Sequence, residues 1–459
     1  MTQGSEIVIT GTTDLSGKYV ADHKLRILDP SKLKVTKTQN PKSLPEDMKF
    51  VWGATFTDHM LICQHDPEIG WLDPEIRPYG PLQLDPASTC LHYAPALFEG
   101  MKAYRTSQPG SKPLLFRPDM NMARMRRSAD RVQLPDFDAE AMIELIRQLV
   151  KLDEHLIPPP PNALYIRPTM IGTRPTLGVA PSTHAMIYVI LSPVGPFFPT
   201  KNTAGPPLPI PSVENVAFSN GSSSEPTDSA NHLNGTNSTI EWQANFDTIS
   251  LLATTSAIRA WPGGVGEYKL AGNYAPCFKP QKAALAKGYQ QNLWCLEDKE
   301  GVMKVTECGQ MNFMVVLEKK REGNVVEVEL ATPNLDGTIL PGVTRDSILT
   351  LFRAHADAKT DSDRLPHLSS DFRLTVSERP ISLEELVQAS QEGKILEAFG
   401  TGTAAVLCPV KRIGLEDGRP DMEIPTYSGG LGPLARAVFE RVSEIQEGKV
   451  PGHQWIVEI

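Results

Sequence analysis

What this 459-residue sequence has little of narrows its class first. Cysteine is scarce: Cys63, Cys90, Cys277, Cys295, Cys308 and Cys408, with no two spaced C-x-x-C. Without that spacing a zinc site or a thioredoxin-like centre is disfavoured, and no metal is expected. Isolated thiols of this kind pack as small hydrophobes in a reducing compartment. Positive charge is not in excess: 45 Lys and Arg stand against 54 Asp and Glu, a net charge of -9. No basic domain stands out, which excludes nucleic acid as the expected partner. No apolar run approaches the roughly 18 residues that a membrane span needs. The first 17 residues contain no Lys or Arg, so neither the basic start of a secretory signal nor an Arg-rich transit peptide is expected. A cytoplasmic location follows as the expectation, with a mitochondrial one left open.

Hydrophobic residues make up 40% of the chain and charged residues 22%, as in an ordinary globular protein. The length exceeds one ordinary core and predicts two domains. Residues 1–45 are mostly polar and read as an extension. Residues 46–199 read as a small α/β domain. There "NMARMRRSADRVQLP" and "DAEAMIELIRQLVKLDEHLIP" step apolar residues as amphipathic helices do, and "ALYIRPTMIG" and "HAMIYVILSPVGPFF" read as buried strands. Residues 200–247 are rich in Pro, Gly, Ser and Asn and read as a linker or insertion, since they bury too little to offset ordering. Residues 248–459 read as a second, larger α/β domain.

Three stretches carry chemistry. Residues 263–276, "GGVGEYKLAGNYAP", set a single lysine, Lys269, among glycines. A lysine in a Gly-rich loop is ordinarily solvated. In a desolvated pocket it loses its proton and attacks an aldehyde, and bare backbone lets a flat ligand come close. "VTECGQMNFMVV" places Glu307 at the entry of an apolar strand. The ordinary reading is a surface carboxylate; the chemical one is a group facing a pyridine nitrogen, whose charged form it favours. "EAFGTGTAAVLCPV" and "ILPGVTRDS" each expose backbone N–H groups, the second at a helix start, as anion sites do.

Together with "LHYAPALFEGMKAYR", "FRPDMNMARMRRSADR", "YIRPTMIG" and "SPVGPFFP", all in order, these strings make the chain resemble the branched-chain amino acid aminotransferases. These are fold-type IV enzymes that use pyridoxal 5'-phosphate (PLP). The resemblance implies a two-domain α/β (α+β) fold, a homodimer, and reversible amino transfer between L-Leu, L-Ile or L-Val and 2-oxoglutarate by a ping-pong route. Amino acids and 2-oxo acids are then the small-molecule partners.

It also implies roles. Lys269 matches the catalytic lysine, which bonds covalently to PLP and moves the proton at the substrate Cα. Glu307 matches the partner of the pyridine nitrogen, Tyr274 that of the ring oxygen, and Arg124 the phosphate-binding arginine. Val343, Thr344 and Thr403 match other phosphate positions. Thr403 and Ala404 match the turn that receives the substrate carboxylate. Trp52, Tyr93, Phe98, Tyr165, Arg167 and Phe197 match the substrate wall. Leu177 and Val179 match a loop contributed by the second subunit. Gln310 departs from the family, standing where animal members carry a small hydroxyl residue. Phe197 replaces a common tyrosine. Ala405 and Cys408 replace a C-x-x-C of animal mitochondrial members, which argues against a redox switch there. The rival readings are a relative of the same fold acting on D-amino acids or an unusual amino acid, a PLP lyase, or a phosphate-binding scaffold without catalysis.

Overall fold

The computed structural model describes residues 25–106, 110–195, 246–360 and 364–459. Phe197, and the expected insertion up to residue 245, lie outside them.

The first half of the chain supplies β1 (Lys34–Val35), β2 (His59–Asp66), β3 (Gly70–Trp71), β4 (Glu75–Pro78), β5 (Ala96–Phe98), β6 (Met101–Tyr104), β7 (Leu114–Phe116), β8 (Ala163–Gly172) and β9 (Ala185–Val194). They form one sheet in the order β1-β4-β2-β9-β8-β6-β7, with β3 on β2 and β5 on β8. All but the β1–β4 pairing are antiparallel. Its helices are α1 (Thr89–Tyr93), α2 (Pro118–Arg131) and α3 (Ala139–Leu152). The apolar stripes of α2 and α3, among them Met122, Met125, Leu145 and Leu149, pack on Leu61, Leu164 and Ile187 of the sheet. Asp138 caps α3 by accepting the Ala141 N–H at 2.8 Å.

The second half supplies β10 (Ile249–Thr254), β11 (Gln291–Glu297), β12 (Met303–Cys308), β13 (Met311–Glu322), β14 (Val325–Thr332), β15 (Phe372–Glu378), β16 (Ile395–Gly402), β17 (Val406–Leu415) and β18 (Met422–Glu423). Their order is β12-β11-β10-β17-β16-β13-β14-β15, and β12 also pairs with β13. That extra pairing closes six strands into a ring. Along β13, alternation sends Phe313, Val315 and Leu317 to one core and Met314 and Val316 to another. The helices are α4 (Phe278–Ala286), α5 (Val343–Ala356), α6 (Leu383–Gln391) and α7 (Pro433–Gln446). α5 and α7 cover the second core with Ile348, Phe352, Leu434 and Val438. Beneath α7 the buried Glu397 accepts the Leu434 and Ala435 N–H groups at 2.9 and 3.0 Å.

Two boundaries differ from the sequence reading. Residues 25–45, expected within an extension, lie on the first sheet: Leu28 is buried in its core and β1 pairs with β4. Few apolar residues suffice there, because the segment adds to an edge that already exists. Strand β19 (Ile456–Glu458), expected within the second domain, pairs antiparallel with β7 of the first sheet.

Candidate functional site

Lys269 lies on the loop between β10 and α4. Glycine draws that loop inward: a Cβ on Gly266 would sit 2.4 Å from both the Ala260 Cβ and the Thr338 carbonyl oxygen. Three residues of α2 then fix the loop. Ser128 Oγ accepts the Lys269 N–H at 3.0 Å, Arg127 donates to the Glu267 carbonyl at 3.0 Å, and Arg131 donates to the carbonyls of Gly263 and Gly264. The Lys269 carbonyl accepts the Phe98 N–H, tying the loop to β5. The side chain is thereby aimed. Its Nζ lies 3.2 Å from the Tyr274 hydroxyl and 4.9 Å from the centre of the Phe98 ring.

Glu307 is placed by the closure of the ring of strands. It pairs with Asn312 across the β12–β13 hairpin, whose turn is Gly309 and the exposed Gln310. It is no surface carboxylate, being 2% exposed. Its Oε2 lies 2.8 Å from Arg259, and its Oε1 accepts the Leu340 N–H at 2.8 Å. Burial pushes the carboxyl above its ordinary range, while Arg259, the Leu340 amide and the charge of Lys269 pull it back.

The anion side is built from two turns. At the first turn of α5, Val343 and Thr344 follow the N-cap Gly342, and no side chain caps the free amides. A Cβ on Gly342 would crowd Asn312 Oδ1, so any larger residue there would displace the Asn312 side chain. The other turn, Thr403–Ala405, joins β16 to β17. Arg124 differs from what its motif alone suggests. Its Nε and Nη2 both donate to the fully buried Glu99 at 2.8 Å, and Nη1 donates to the Pro341 carbonyl at 2.9 Å. A bidentate pair of this kind offsets much of the desolvation of both charges. Arg124 thus reaches the 341–344 turn with its charge already matched.

The aromatic residues gather beside Lys269. Trp52 and Tyr165 have ring centres 5.1 Å apart, and Phe98 and Tyr274 have theirs 4.9 Å apart. The Arg167 guanidinium lies over the rings of Phe98 and Tyr165 at 4.6 and 5.2 Å and donates to the Tyr165 hydroxyl. Its buried Nε has no hydrogen-bond partner among the described residues. Tyr93, Leu177 and Val179 form a separate, exposed group in which the Tyr93 hydroxyl donates to the Leu177 carbonyl. The structure also brings in residues that sequence reasoning passed over: Arg259, Glu99 and Ser128. All three stand in or beside the strings that carried the resemblance, but nothing in a linear string announces a pairing partner.

A buried carboxylate–arginine pair, an aimed amine and uncapped helix amides fit a ligand that is at once a pyridine, an aldehyde and a phosphate. Comparisons with known proteins agree. The model of the amino-transferase class IV family matches residues 214–413. Over 430 residues the chain is 41% identical to the mitochondrial branched-chain-amino-acid aminotransferase of Saccharomyces cerevisiae, covering 93% of this chain and 92% of that one. It is 39% identical over 416 residues to the cytosolic enzyme of Ovis aries, covering 90% of each. The crystal structure of a branched-chain aminotransferase from Thermoproteus uzoniensis with norvaline shares the fold, with a TM-score of 0.57 at 19% identity, covering 87% of this chain and 99% of that one. With so long a match to curated relatives, and the site assembled as described, this chain belongs to the class IV aminotransferases and, among them, to the branched-chain-amino-acid aminotransferase family.

Proposed function

We propose that this protein is a PLP-dependent transaminase that moves the amino group between L-Leu, L-Ile or L-Val and 2-oxoglutarate in a ping-pong cycle. The observation that carries this reading is the aimed amine of Lys269 beside the Tyr274 hydroxyl, with Glu307 buried against Arg259. When bound, PLP supplies the electron sink for charge that develops at the substrate Cα. Lys269 takes and returns the proton at that carbon. The Tyr274 hydroxyl holds the Lys269 Nζ in place. Arg259 favours the ionised form of Glu307 against its burial, and an ionised carboxylate favours a proton on the pyridine nitrogen. The Val343 and Thr344 amides, with Thr403, would hold the phosphate, and Arg124 would steady that turn through Pro341. The Thr403–Ala404 amides would receive the substrate carboxylate.

Trp52, Phe98 and Tyr165 would exclude water from a branched side chain. A wall of this type separates Leu, Ile and Val only modestly, because one methylene is worth about 1–3 kcal/mol. Arg167, with its free Nε, is the receptor for the second carboxylate of glutamate. The exposed Leu177 and Val179 support a homodimer in which this loop covers the partner's site. A cytoplasmic location completes the reading, and cell fractionation tests it. Among the described residues no helix is long and apolar enough to cross a membrane.

Borohydride treatment of the protein loaded with PLP tests the core of this reading. The cofactor becomes fixed to Lys269, and untreated protein turns over all three branched substrates with 2-oxoglutarate. A protein that cannot be labelled, or that is inert toward all three, overturns it.

A further inference from the structure

Among the described residues, one buried cation beside this site has no carboxylate partner. Lys102 lies on β6, where Met101 and Ala103 face the core under α2 and α3. Alternation along the strand points Lys102 the other way, toward the second half of the chain. It is 8% exposed. Its Nζ donates to the Ala404 carbonyl at 2.8 Å and lies 5.5 Å from the Trp52 ring centre. It lines a small cavity with Asn121, Thr344, Thr403 and Gln446.

An ammonium carries three donors, and one carbonyl and a ring face leave part of that capacity unused. No carboxylate lies within ion-pair distance of Lys102 among the described residues. Burial alone pushes it down to about 8. Other buried cations of this chain are matched: Arg124 by Glu99, Arg259 by Glu307, Arg345 by Glu378. A buried charge left unmatched by the protein is costly unless a ligand completes it. Its two contacts, Ala404 and Trp52, both belong to the substrate side as assigned above, while Thr344 and Thr403 across the cavity belong to the phosphate side.

We propose that the Lys102 ammonium is a second receptor for the α-carboxylate common to the amino acid and the 2-oxo acid, acting beside the Thr403–Ala404 turn. This rests on the aminotransferase reading. It gives the substrate anion a full positive charge at a place where the turn offers only amide dipoles. Lys102 is then a residue that binds both substrates of the cycle alike, rather than one that chooses between side chains.

The test compares the wild-type holoenzyme with Lys102→Gln, which keeps a donor for Ala404 but no charge, and Lys102→Met, which has neither. The probe is 4-methylpentanoate, a carboxylate without an amine, with 4-methylpentanamide as the neutral control, both titrated by calorimetry. Loss of a charged hydrogen bond should weaken the carboxylate about 10–100-fold in both variants. The amide should bind as before. KM for Leu and for 2-oxoglutarate should rise together, more than kcat falls. Carboxylate binding by Lys102→Gln at wild-type strength would reduce Lys102 to a prop for the turn. A loss confined to cofactor retention would assign it to the phosphate instead. Either result overturns the proposal. A crystal of the wild-type holoenzyme soaked with 4-methylpentanoate decides the matter even if the variants fail to fold: a carboxylate oxygen within hydrogen-bond distance of Lys102 Nζ supports it, and a carboxylate held elsewhere overturns it. Borohydride labelling of the same wild-type sample separates this outcome from failure of the aminotransferase reading.

Discussion

The two sides of the site differ in how finished they are. Around Glu307 nearly every buried polar group has a partner: Arg259, the Leu340 amide and Asn312 on one carboxylate, and Arg124 with Asn121 on Glu99. Around the substrate loop the opposite holds. Tyr93, Leu177 and Val179 are 44%, 65% and 82% exposed. A polar network that is fully paired is rigid and holds its geometry alone. Apolar residues gathered on one exposed surface are candidates for contact with another body. On the function proposed above, the cofactor side would be complete within one chain, and the exposed 177–179 loop is the part that a second chain would cover.

Removing the amine breaks the finished side most severely. Lys269→Ala should lose about 10²–10⁴-fold or more in transamination, the range for a general acid–base group. Initial rates with Leu measure this, and near-normal turnover would sink the assignment. The support beneath Glu307 comes next. Glu307→Gln should retain cofactor but slow proton removal from Cα, seen as a larger isotope effect with Cα-deuterated Leu. Arg259→Met should slow the same step and also lower stability by about 3–5 kcal/mol, because it strands a buried carboxylate. A melting temperature for Arg259→Met equal to that of the wild type would show that the pair is not held as described.

The unfinished side should respond to a charge at its rim. Val179→Asp should weaken self-association in sedimentation and raise KM for Leu while each chain keeps its fold. A variant that sediments and turns over as before would remove the 177–179 loop from the interface. The smallest effect on turnover should come from a buried group outside the site. Glu397, desolvated beneath α7, has its carboxyl raised from 4.5 to about 7. A raised carboxyl favours the folded state while protonated, and that stability is lost as pH rises from about 4.5 through 7. Relative to Glu397→Gln, the wild type should thus lose on the order of 1–3 kcal/mol over that window in urea melts, with kcat unchanged. A pH-independent difference would mean that the carboxylate is better hydrated than its burial implies.

Much of this was legible in the sequence because it is local. The string "ALYIRPTMIG", read as a buried strand, spans β8 from Ala163 to Gly172. Lys269 and Glu307 stand in strings that their own composition singles out, and Tyr274 in one that only the family resemblance does; the structure sets Tyr274 beside Lys269. What stayed hidden depends on partners far along the chain. Apolar periodicity gives a strand but not its neighbour, so the pairing of β10 with β17, which sets Ile249 beside Val410, could not be read. Glu99 looked like one residue of a motif until Arg124, 25 residues on, was found holding it. Lys102 and Ala404 lie 302 residues apart and meet only where the two halves of the chain face each other.

Strand β19 reaches further still. It joins β7 through Phe116 and Ile456, Trp455 stacks beneath Arg117, and Lys112 meets Glu458 from 346 residues away. A ribosome releases such a chain from its start. The edge of the first sheet at β7, with all three of its residues buried in the folded protein, must therefore lack this strand until residues 456–458 have been translated. The first half is made early but is sealed late. A nascent chain stalled before Ile456 would present Leu114–Phe116 as an unpaired edge, the kind of edge to which chaperones and other chains add.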